Sequence, residues 1–207
     1  MLGGHVKQQG SYVGPDRLRF DFSHFGPLSD AARASIEELV NEEILSNSVV
    51  RHFETSRQEA LALGAIAFFG EKYGDTVRVL EAGDKSLELC GGTHVSRLGD
   101  IGILKIISEG SVGSNLRRVE AITGWATIEL LRRTEAVLHE TAQALGSQPA
   151  QVLESALRRS DEIRSLNLEV SRLHEQLAEL RAEGLARQAK DGVLVARVDG
   201  MAPQLMK

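Results

Sequence analysis

The 207-residue chain is acidic and aliphatic, which limits the classes of protein it can represent. It carries 24 lysines and arginines against 29 aspartates and glutamates, a formal net charge of −5. A generally basic protein that coats nucleic acid is therefore excluded, whereas local basic patches are compatible with this balance. With 42% apolar but only 4% aromatic residues, we expect a mostly aliphatic core in one large or two small domains.

The single cysteine, Cys90, rules out an internal disulfide and favours a reducing compartment. No apolar run approaches the roughly 20 residues needed to span a bilayer. The first ten residues lack the basic and then apolar order of a signal peptide. We therefore expect a cytoplasmic protein with no membrane partner. The abrupt start at Met1 also suggests a fragment.

Short strand and helix patterns alternate up to about residue 122. Leu18, Phe20 and Phe22 alternate with charged residues, which predicts a half-buried strand over 17–22. Ser29 is a suitable N-cap for a helix that continues to residue 44. Further patterns predict a strand at 49–53, a helix at 58–69, a turn at 70–75, and strands at 76–81, 86–90, 102–108 and 116–122. Without regular βαβ spacing, this order indicates an α+β fold.

The chain from about residue 124 to 187 has the composition of long helices. A helix is predicted over 125–145, and the glycine and proline of 146–149 separate it from a second one. In that second helix, apolar residues recur at steps of three and four, which is the seam of a coiled coil: Ile163, Leu166, Val170, Leu173, Leu177 and Leu180. We expect an antiparallel helical hairpin, with two helices packed on a globular core as the alternative. A last strand at 193–198 resembles the first element of a truncated domain.

Cys90 and His94 flank a double glycine in the motif CGGTH. The glycines argue against a helix, and a tight turn after a strand would bring the thiol and the imidazole toward one point. Zinc favours this pair of ligand types, but it needs three or four ligands in all. From spacing alone, the alternative that Cys90 is a buried thiol beside an unrelated histidine therefore remains open.

Two further segments contain features suited to anions. Arg17 and Arg19 lie on the predicted strand at 17–22, where they can face phosphate or simply form a charged outer face. The glycine- and serine-rich stretch 109–115 leads into Arg117 and Arg118, and its backbone could form an anion-binding nest or an ordinary surface loop. It lacks the Lys-Ser/Thr ending of a P-loop, which argues against nucleotide hydrolysis.

These segments together resemble the editing part of alanyl-tRNA synthetases. The resemblance is carried by HVKQQGSYVGPDRLRFDFSHF, by LELCGGTHVSRLGDIGILKIISEGSVGSNLRRVEAITG and by the helices that follow, so it covers nearly the whole chain. Threonyl-tRNA synthetases and free-standing alanyl-tRNA deacylases share the CxxxH core. The resemblance implies an α+β, mixed-sheet domain of the type called the threonyl/alanyl-tRNA synthetase second additional domain, followed by the long antiparallel hairpin.

The same resemblance implies three domains. Residues 1–122 would be an editing domain truncated at its N-terminus, 123–188 the helical hairpin, and 189–207 the start of a truncated C-terminal domain. The aminoacylation core and its ATP site would be absent. The expected activity is hydrolysis of serine or glycine wrongly esterified to alanine tRNA, because a pocket built for alanine cannot exclude glycine and rejects serine weakly.

The family holds zinc through an HxxxH pair and a CxxxH pair. Cys90 and His94 match the second pair, whereas the first would lie roughly 13 and 17 residues before His5, outside this chain. The zinc site is therefore expected to be incomplete, and nothing in the spacing supports His5 or His24 as substitutes.

The remaining site residues also follow from the resemblance. Gln8 matches a glutamine of the editing pocket, expected to position the substrate or the attacking water, and Thr93 is expected to line the pocket. Candidate contacts to tRNA phosphate are Arg17, Arg19, Arg117 and Arg118. The partners implied are mischarged alanine tRNA and, through the helices, a homodimer.

Three hypotheses therefore compete: an editing hydrolase module of alanine–tRNA ligase, a non-catalytic tRNA-binding module, and a free-standing alanyl-tRNA deacylase with unusual metal ligands. Metal content and tRNA binding separate them.

Overall fold

The computed structural model describes residues 2–67 and 74–187 and divides the chain into two compact units, Met1–Arg133 and Thr134–Lys207. The strands are β1 Gln8–Val13, β2 Leu18–Ser23, β3 Val50–Ser56, β4 Thr76–Ala82, β5 Ser86–Leu89, β6 Lys105–Gly113 and β7 Leu116–Ile122. The helices are α1 Asp30–Ser46, α2 Arg57–Ala62, α3 Gly124–Ala144 and α4 Val152–Ala186, with single 3₁₀ turns at Leu98–Ile101 and Pro149–Gln151.

The first unit contains two antiparallel sheets. A four-stranded sheet has the order β1-β2-β7-β6, and a three-stranded sheet has the order β3-β4-β5. An isolated parallel bridge between Ile66 and Glu88 lies beside β5. The predicted α+β class is confirmed, as is a long C-terminal helix. None of the helices in the described part of the chain is long and apolar enough to cross a membrane.

Helix α1 is capped at both ends, by Ser29 and by Asn47. The Ser29 hydroxyl accepts a hydrogen bond from the Ala32 amide at 3.1 Å, which confirms the predicted N-cap. At the other end, Asn47 adopts a left-handed conformation with φ of 52°, and its amide bonds to the Ile44 carbonyl. Asparagine tolerates this conformation better than most residues, so the chain can turn directly toward β3.

Two polar side chains of α1 attach it to the start of β6. The amide of Asn41 donates to the Leu104 carbonyl at 2.9 Å and accepts from the Leu104 N–H at 2.8 Å. One turn earlier, Glu37 accepts from the Ile106 amide and from the Lys105 ammonium, both at 2.7 Å. The helix therefore takes the place of a neighbouring strand for the backbone groups of Leu104 and Ile106 at the edge of the sheet.

Each sheet has its own apolar core. On the first sheet, Phe22, Ile106 and Ala121 are buried, and an apolar groove of about 270 Å³ opens between this face and α1. On the second sheet, the core consists of small and aliphatic residues from α2, the bridge segment and the strands: Ala60, Ala65, Val77, Val79 and Leu89. Because few aromatics are available, both cores are mostly aliphatic, as the composition predicts, with Phe22 as an aromatic member of the first.

Three local predictions need correction. The helix expected at 58–69 ends at Ala62, because Gly64 adopts a φ of +88° and Ile66 then pairs with β5. Strand β1, with its polar sequence QQGSYV, was not predicted as a strand. The glycine- and serine-rich stretch expected to be a loop is the second half of β6, and only Ser114 and Asn115 form the turn.

The second unit is described as far as residue 187. Helix α3 ends in a Schellman motif: Gly146 has a φ of +61°, its amide bonds to the Gln143 carbonyl, and the Ser147 amide bonds to Ala142. Pro149 then opens the 3₁₀ turn before α4, so the predicted break is confirmed. Every seam residue of α4 is between 45% and 67% exposed. The predicted strand at 193–198 and residues 70–73 of the predicted turn lie outside the described residues.

Candidate functional site

The segment Cys90–His94, here called the Cys–His bend, follows directly from the second sheet. Leu89 is 1% exposed and anchors the end of β5 in the core. The next residue still belongs to the ladder, because the Cys90 amide donates to the Arg78 carbonyl of β4 at 3.1 Å. The thiol is therefore held at a fixed position where the strand stops.

Cys90 and His94 lie on the same side of the bend. A Cβ atom added to Gly92 would stand 3.6 Å from the Cys90 Sγ and 3.9 Å from the His94 Nε2. The thiol and the imidazole therefore border the same space beside Gly92. A glycine at position 92 leaves that space open.

Arg78 holds the bend from the neighbouring strand. Its Nη1 donates to the Gly92 carbonyl at 2.5 Å. The pKa of His94 is lowered, first by partial burial and then by the positive charges of Arg78 and His52, with Glu88 acting in the opposite direction. The imidazole is therefore neutral near pH 7, which is the form that donates a lone pair to a metal.

These residues partly fit a zinc site. A thiolate and a neutral imidazole are preferred zinc ligands, and structural or catalytic zinc needs three or four protein ligands. Among residues 2–67 and 74–187, no group of three histidines, cysteines or acids could hold a metal ion. The Cys–His bend thus offers two ligands, and Thr93, exposed within it, offers none of the usual metal donors.

Gln8 lies on a different sheet from the Cys–His bend. It belongs to the edge strand β1, and its amide donates to the Ser11 hydroxyl at 3.2 Å. No hydrogen bond joins Gln8 to Cys90 or His94 in the part of the chain that the structure describes. Its expected role in the pocket therefore remains a prediction.

Two of the four candidate tRNA-binding arginines are tied to carboxylates inside the first sheet. Arg118 donates twice to Asp21, each time at 2.7 Å, and Asp21 is only 9% exposed. Arg117 pairs with Glu109 at 2.5 Å, and the two side chains are 13% and 7% exposed. Both pairs join neighbouring or facing strands, so these arginines stabilise the sheet.

The other two arginines are more accessible. Arg17 contacts Glu120 at 3.2 Å and Asp16 at 3.5 Å, and its side chain is half exposed. Arg19 approaches Asp21 only at 3.9 Å, and its Nε lacks a hydrogen-bond partner. Of the four, Arg17 and Arg19 are therefore the better candidates for contact with phosphate.

Sequence reasoning missed two features. Arg78 supports the Cys–His bend through strand pairing that only the register reveals. His5 and His24, considered separately in the sequence, lie together, with the His5 Nε2 2.9 Å from the His24 Nδ1. The flanking segments HVKQQ and DFSHF contain both histidines, but nothing in their spacing indicates that β1 and β2 would bring them into contact.

Comparison with known proteins shows what this arrangement is similar to. A family profile described as "Threonyl and Alanyl tRNA synthetase second additional domain" matches residues 77–120, which include β4, β5, the Cys–His bend and most of the β6–β7 hairpin.

Individual relatives extend this similarity to the whole chain. The chain is 44% identical over its full length to the alanine–tRNA ligase of Stenotrophomonas maltophilia, and 46% identical over 96% of its length to that of Desulfitobacterium hafniense. It is therefore related throughout to alanine–tRNA ligases, and it spans about a quarter of the length of these relatives, 24% and 23% respectively.

Proposed function

We propose that the first unit is an editing domain that hydrolyses serine or glycine esterified to alanine tRNA. The observation that carries this proposal is that the Cys90 thiol and the His94 imidazole border the same space beside Gly92. Relationship to alanine–tRNA ligases supports the substrate class. Such a domain is needed because a pocket built for alanine cannot exclude glycine and rejects serine weakly, so a second site must hydrolyse the wrongly charged tRNA.

The residues of the chain act by binding and positioning. Cys90 and His94 would hold zinc as thiolate and neutral imidazole, with further ligands supplied from outside the described residues. Zinc, when bound, supplies a positive charge that polarises the ester carbonyl or orients the aminoacyl group. Arg78 keeps the bend in place through the Gly92 carbonyl, and Gln8 would orient the substrate or the attacking water.

The partner in this proposal is mischarged alanine tRNA, bound in part through phosphate. Arg17 and Arg19 are the candidate contacts, because their side chains are 51% and 38% exposed, more than those of the other two. Replacing either residue should weaken binding similarly for all tRNA sequences and reduce its salt dependence, since phosphate contacts carry no sequence information.

A deacylation assay tests the activity. Ser-tRNA and Ala-tRNA of the alanine acceptor are incubated with the chain, and with a version extended at its N-terminus by the HxxxH segment of the family. We expect the extended protein to release serine and spare alanine, and Cys90→Ala or His94→Ala to abolish release. Serine release unaffected by both substitutions would overturn the assignment of the Cys–His bend.

The same samples separate the alternatives. Retained tRNA binding without hydrolysis, even after extension, would identify a binding module. One tight zinc ion per unextended chain with full activity would identify a free-standing deacylase. We further propose that the chain forms no alanyl-adenylate, and an assay of ATP–pyrophosphate exchange tests this. We also propose that it acts in the cytoplasm, where its free thiol stays reduced.

The exposed seam of α4 favours a second proposal, a homodimer. Isoleucine and valine occupy the first two a positions, Ile163 and Val170, and leucines occupy the d positions, a combination that favours parallel two-stranded coiled coils. In parallel register, the position of Glu169 on one helix faces that of His174 on the other. Antiparallel pairing would instead place g positions opposite one another, and two of the three, Glu162 and Glu169, are acidic.

The seam is short, which sets the expected strength of the dimer. It extends over 163–180, about 27 Å of helix, and less than the three heptads typical of stable coiled coils. We therefore expect a dimer that dissociates on dilution, as sedimentation equilibrium at several protein concentrations would show. A single species of monomer mass at every concentration would contradict the proposal.

A further inference from the structure

A cluster of rings lies at the surface where β1 begins and β2 ends. It consists of His5, His24 and Phe25, here called the ring cluster. Phe25 is 74% exposed, although the chain has only nine aromatic residues in all. A large ring left in water at this position contributes little to folding, and most of its surface is open to another molecule.

The two imidazoles form one extended flat surface. Their ring planes differ by 18°, and their centroids are 5.1 Å apart. The 2.9 Å between His5 Nε2 and His24 Nδ1 accounts for most of that separation, so the rings lie edge to edge and not face to face. Phe25 stacks on His5, with centroids 5.0 Å apart and planes 25° apart, and forms the outer layer.

The backbone under the ring cluster is well anchored. The Ser23 hydroxyl donates to the His5 carbonyl at 2.9 Å and accepts from the Lys7 amide at 2.9 Å. The Ser23 amide adds a bond to the Lys7 carbonyl at 3.0 Å. The backbone on either side of the ring cluster is thus fixed before any ligand arrives, which lowers the entropy cost of binding there.

The tip of the β6–β7 hairpin lies beside the ring cluster. The His24 amide donates to the Asn115 carbonyl at 3.0 Å, which fixes the contact. The tip is made of small residues, Gly113 and Ser114, and Asn115 has a φ of +54°. The tip is the end of the glycine- and serine-rich stretch 109–115, and its small side chains let a phosphate approach its backbone and hydroxyl groups.

We propose that the ring cluster and the adjoining hairpin tip bind an unpaired nucleotide at the end of an RNA strand. The base stacks on the exposed face of Phe25, and its phosphate faces the hairpin tip. Stacking suits any base, because every base has a π face, so the site would bind without strong sequence preference. This inference rests on the proposed function, since it concerns how the same domain holds its tRNA.

The test uses the full chain and two RNA hairpins of identical stem, one blunt and one with four unpaired nucleotides at its 3′ end. Binding is measured by fluorescence anisotropy at fixed salt. We expect the unchanged chain to prefer the unpaired end. Phe25→Ala and Phe25→Leu should reduce affinity for it by about 5- to 100-fold, with the blunt hairpin unaffected, whereas Phe25→Trp should preserve the preference.

Trp125→Ala is the matched control, because Trp125 is 73% exposed but lies on α3, outside the ring cluster. It should bind both hairpins as the unchanged chain does. Equal preference for the unpaired end in all Phe25 variants would overturn the stacking site while leaving tRNA binding intact. Failure of the unchanged chain to bind either hairpin would overturn both proposals, and a change in oligomeric state caused by Phe25→Ala would identify a second copy as the occupant instead.

Discussion

The link between Asn41 and Leu104 offers a direct test of how α1 is attached to the first sheet. The Asn41 side chain makes both hydrogen bonds that a neighbouring strand would make to Leu104, at 2.8 and 2.9 Å, in a partly buried position. Asn41→Ala removes both partners at once. The Leu104 N–H and C=O would then need water in a place that the helix partly covers.

The expected loss follows from that geometry. A typical hydrogen bond contributes about 1 kcal/mol net, and a buried group left without a partner costs about 1–3 kcal/mol. Because the site is only partly buried, water can recover some of this, and we expect a loss of about 2–3 kcal/mol for the pair. The higher helix propensity of alanine offsets this by roughly 0.5 kcal/mol.

Urea unfolding followed by circular dichroism measures the loss, and hydrogen exchange locates it. Amides near Leu104 should exchange faster in Asn41→Ala, and by a larger factor than those of β4. Glu38→Ala, an exposed position on the same helix, is the matched control and should change the free energy of unfolding by less than about 0.5 kcal/mol. A change in the free energy of unfolding of less than about 0.5 kcal/mol for Asn41→Ala would show that the two hydrogen bonds to Leu104 do not stabilise the fold as expected.

Three further predictions concern charge, metal and assembly. Hydrogen bonds from Arg118 lower the pKa of Asp21 below its ordinary value of 3.8 despite burial. The ionised carboxylate therefore stabilises the fold above pH 3.8, and this stabilisation is lost as the pH falls through the lower pKa of the folded protein. Asp21→Asn should therefore flatten the acid limb of a stability–pH profile, and an unchanged limb would contradict this. In the protein extended by the HxxxH segment, Gly92→Ala should weaken the thiolate–cobalt absorption of the Cys–His bend at unchanged stability, because its methyl enters the space that both ligands border; equal absorption would argue against a shared metal there. Leu173→Glu should abolish concentration-dependent dimerisation in sedimentation equilibrium, whereas the exposed f-position substitution Leu168→Glu should not.

Local patterns in the sequence predict many elements of this fold. Period-two alternation predicts β2, and a serine before an apolar helical pattern predicts the start of α1, because both signals depend on residues close in the chain. The break after α3 is predicted for the same reason, since Gly146 and Pro149 act through their own backbone dihedral angles. The end of α2 was less predictable, because Gly64 stops a helix whose side-chain pattern continues.

The sequence by itself determined the α+β class, the long C-terminal helix and the relationship to alanine–tRNA ligases, and it singled out Cys90 and His94. Only the tertiary structure decided which partners those residues have. Arg78 reaches the Cys–His bend, and Asp21 reaches Arg118 across 97 positions, through strand pairing. The physical reason is that a sheet register juxtaposes residues far apart in the chain, and it is set by the packing of whole faces, not by any short segment.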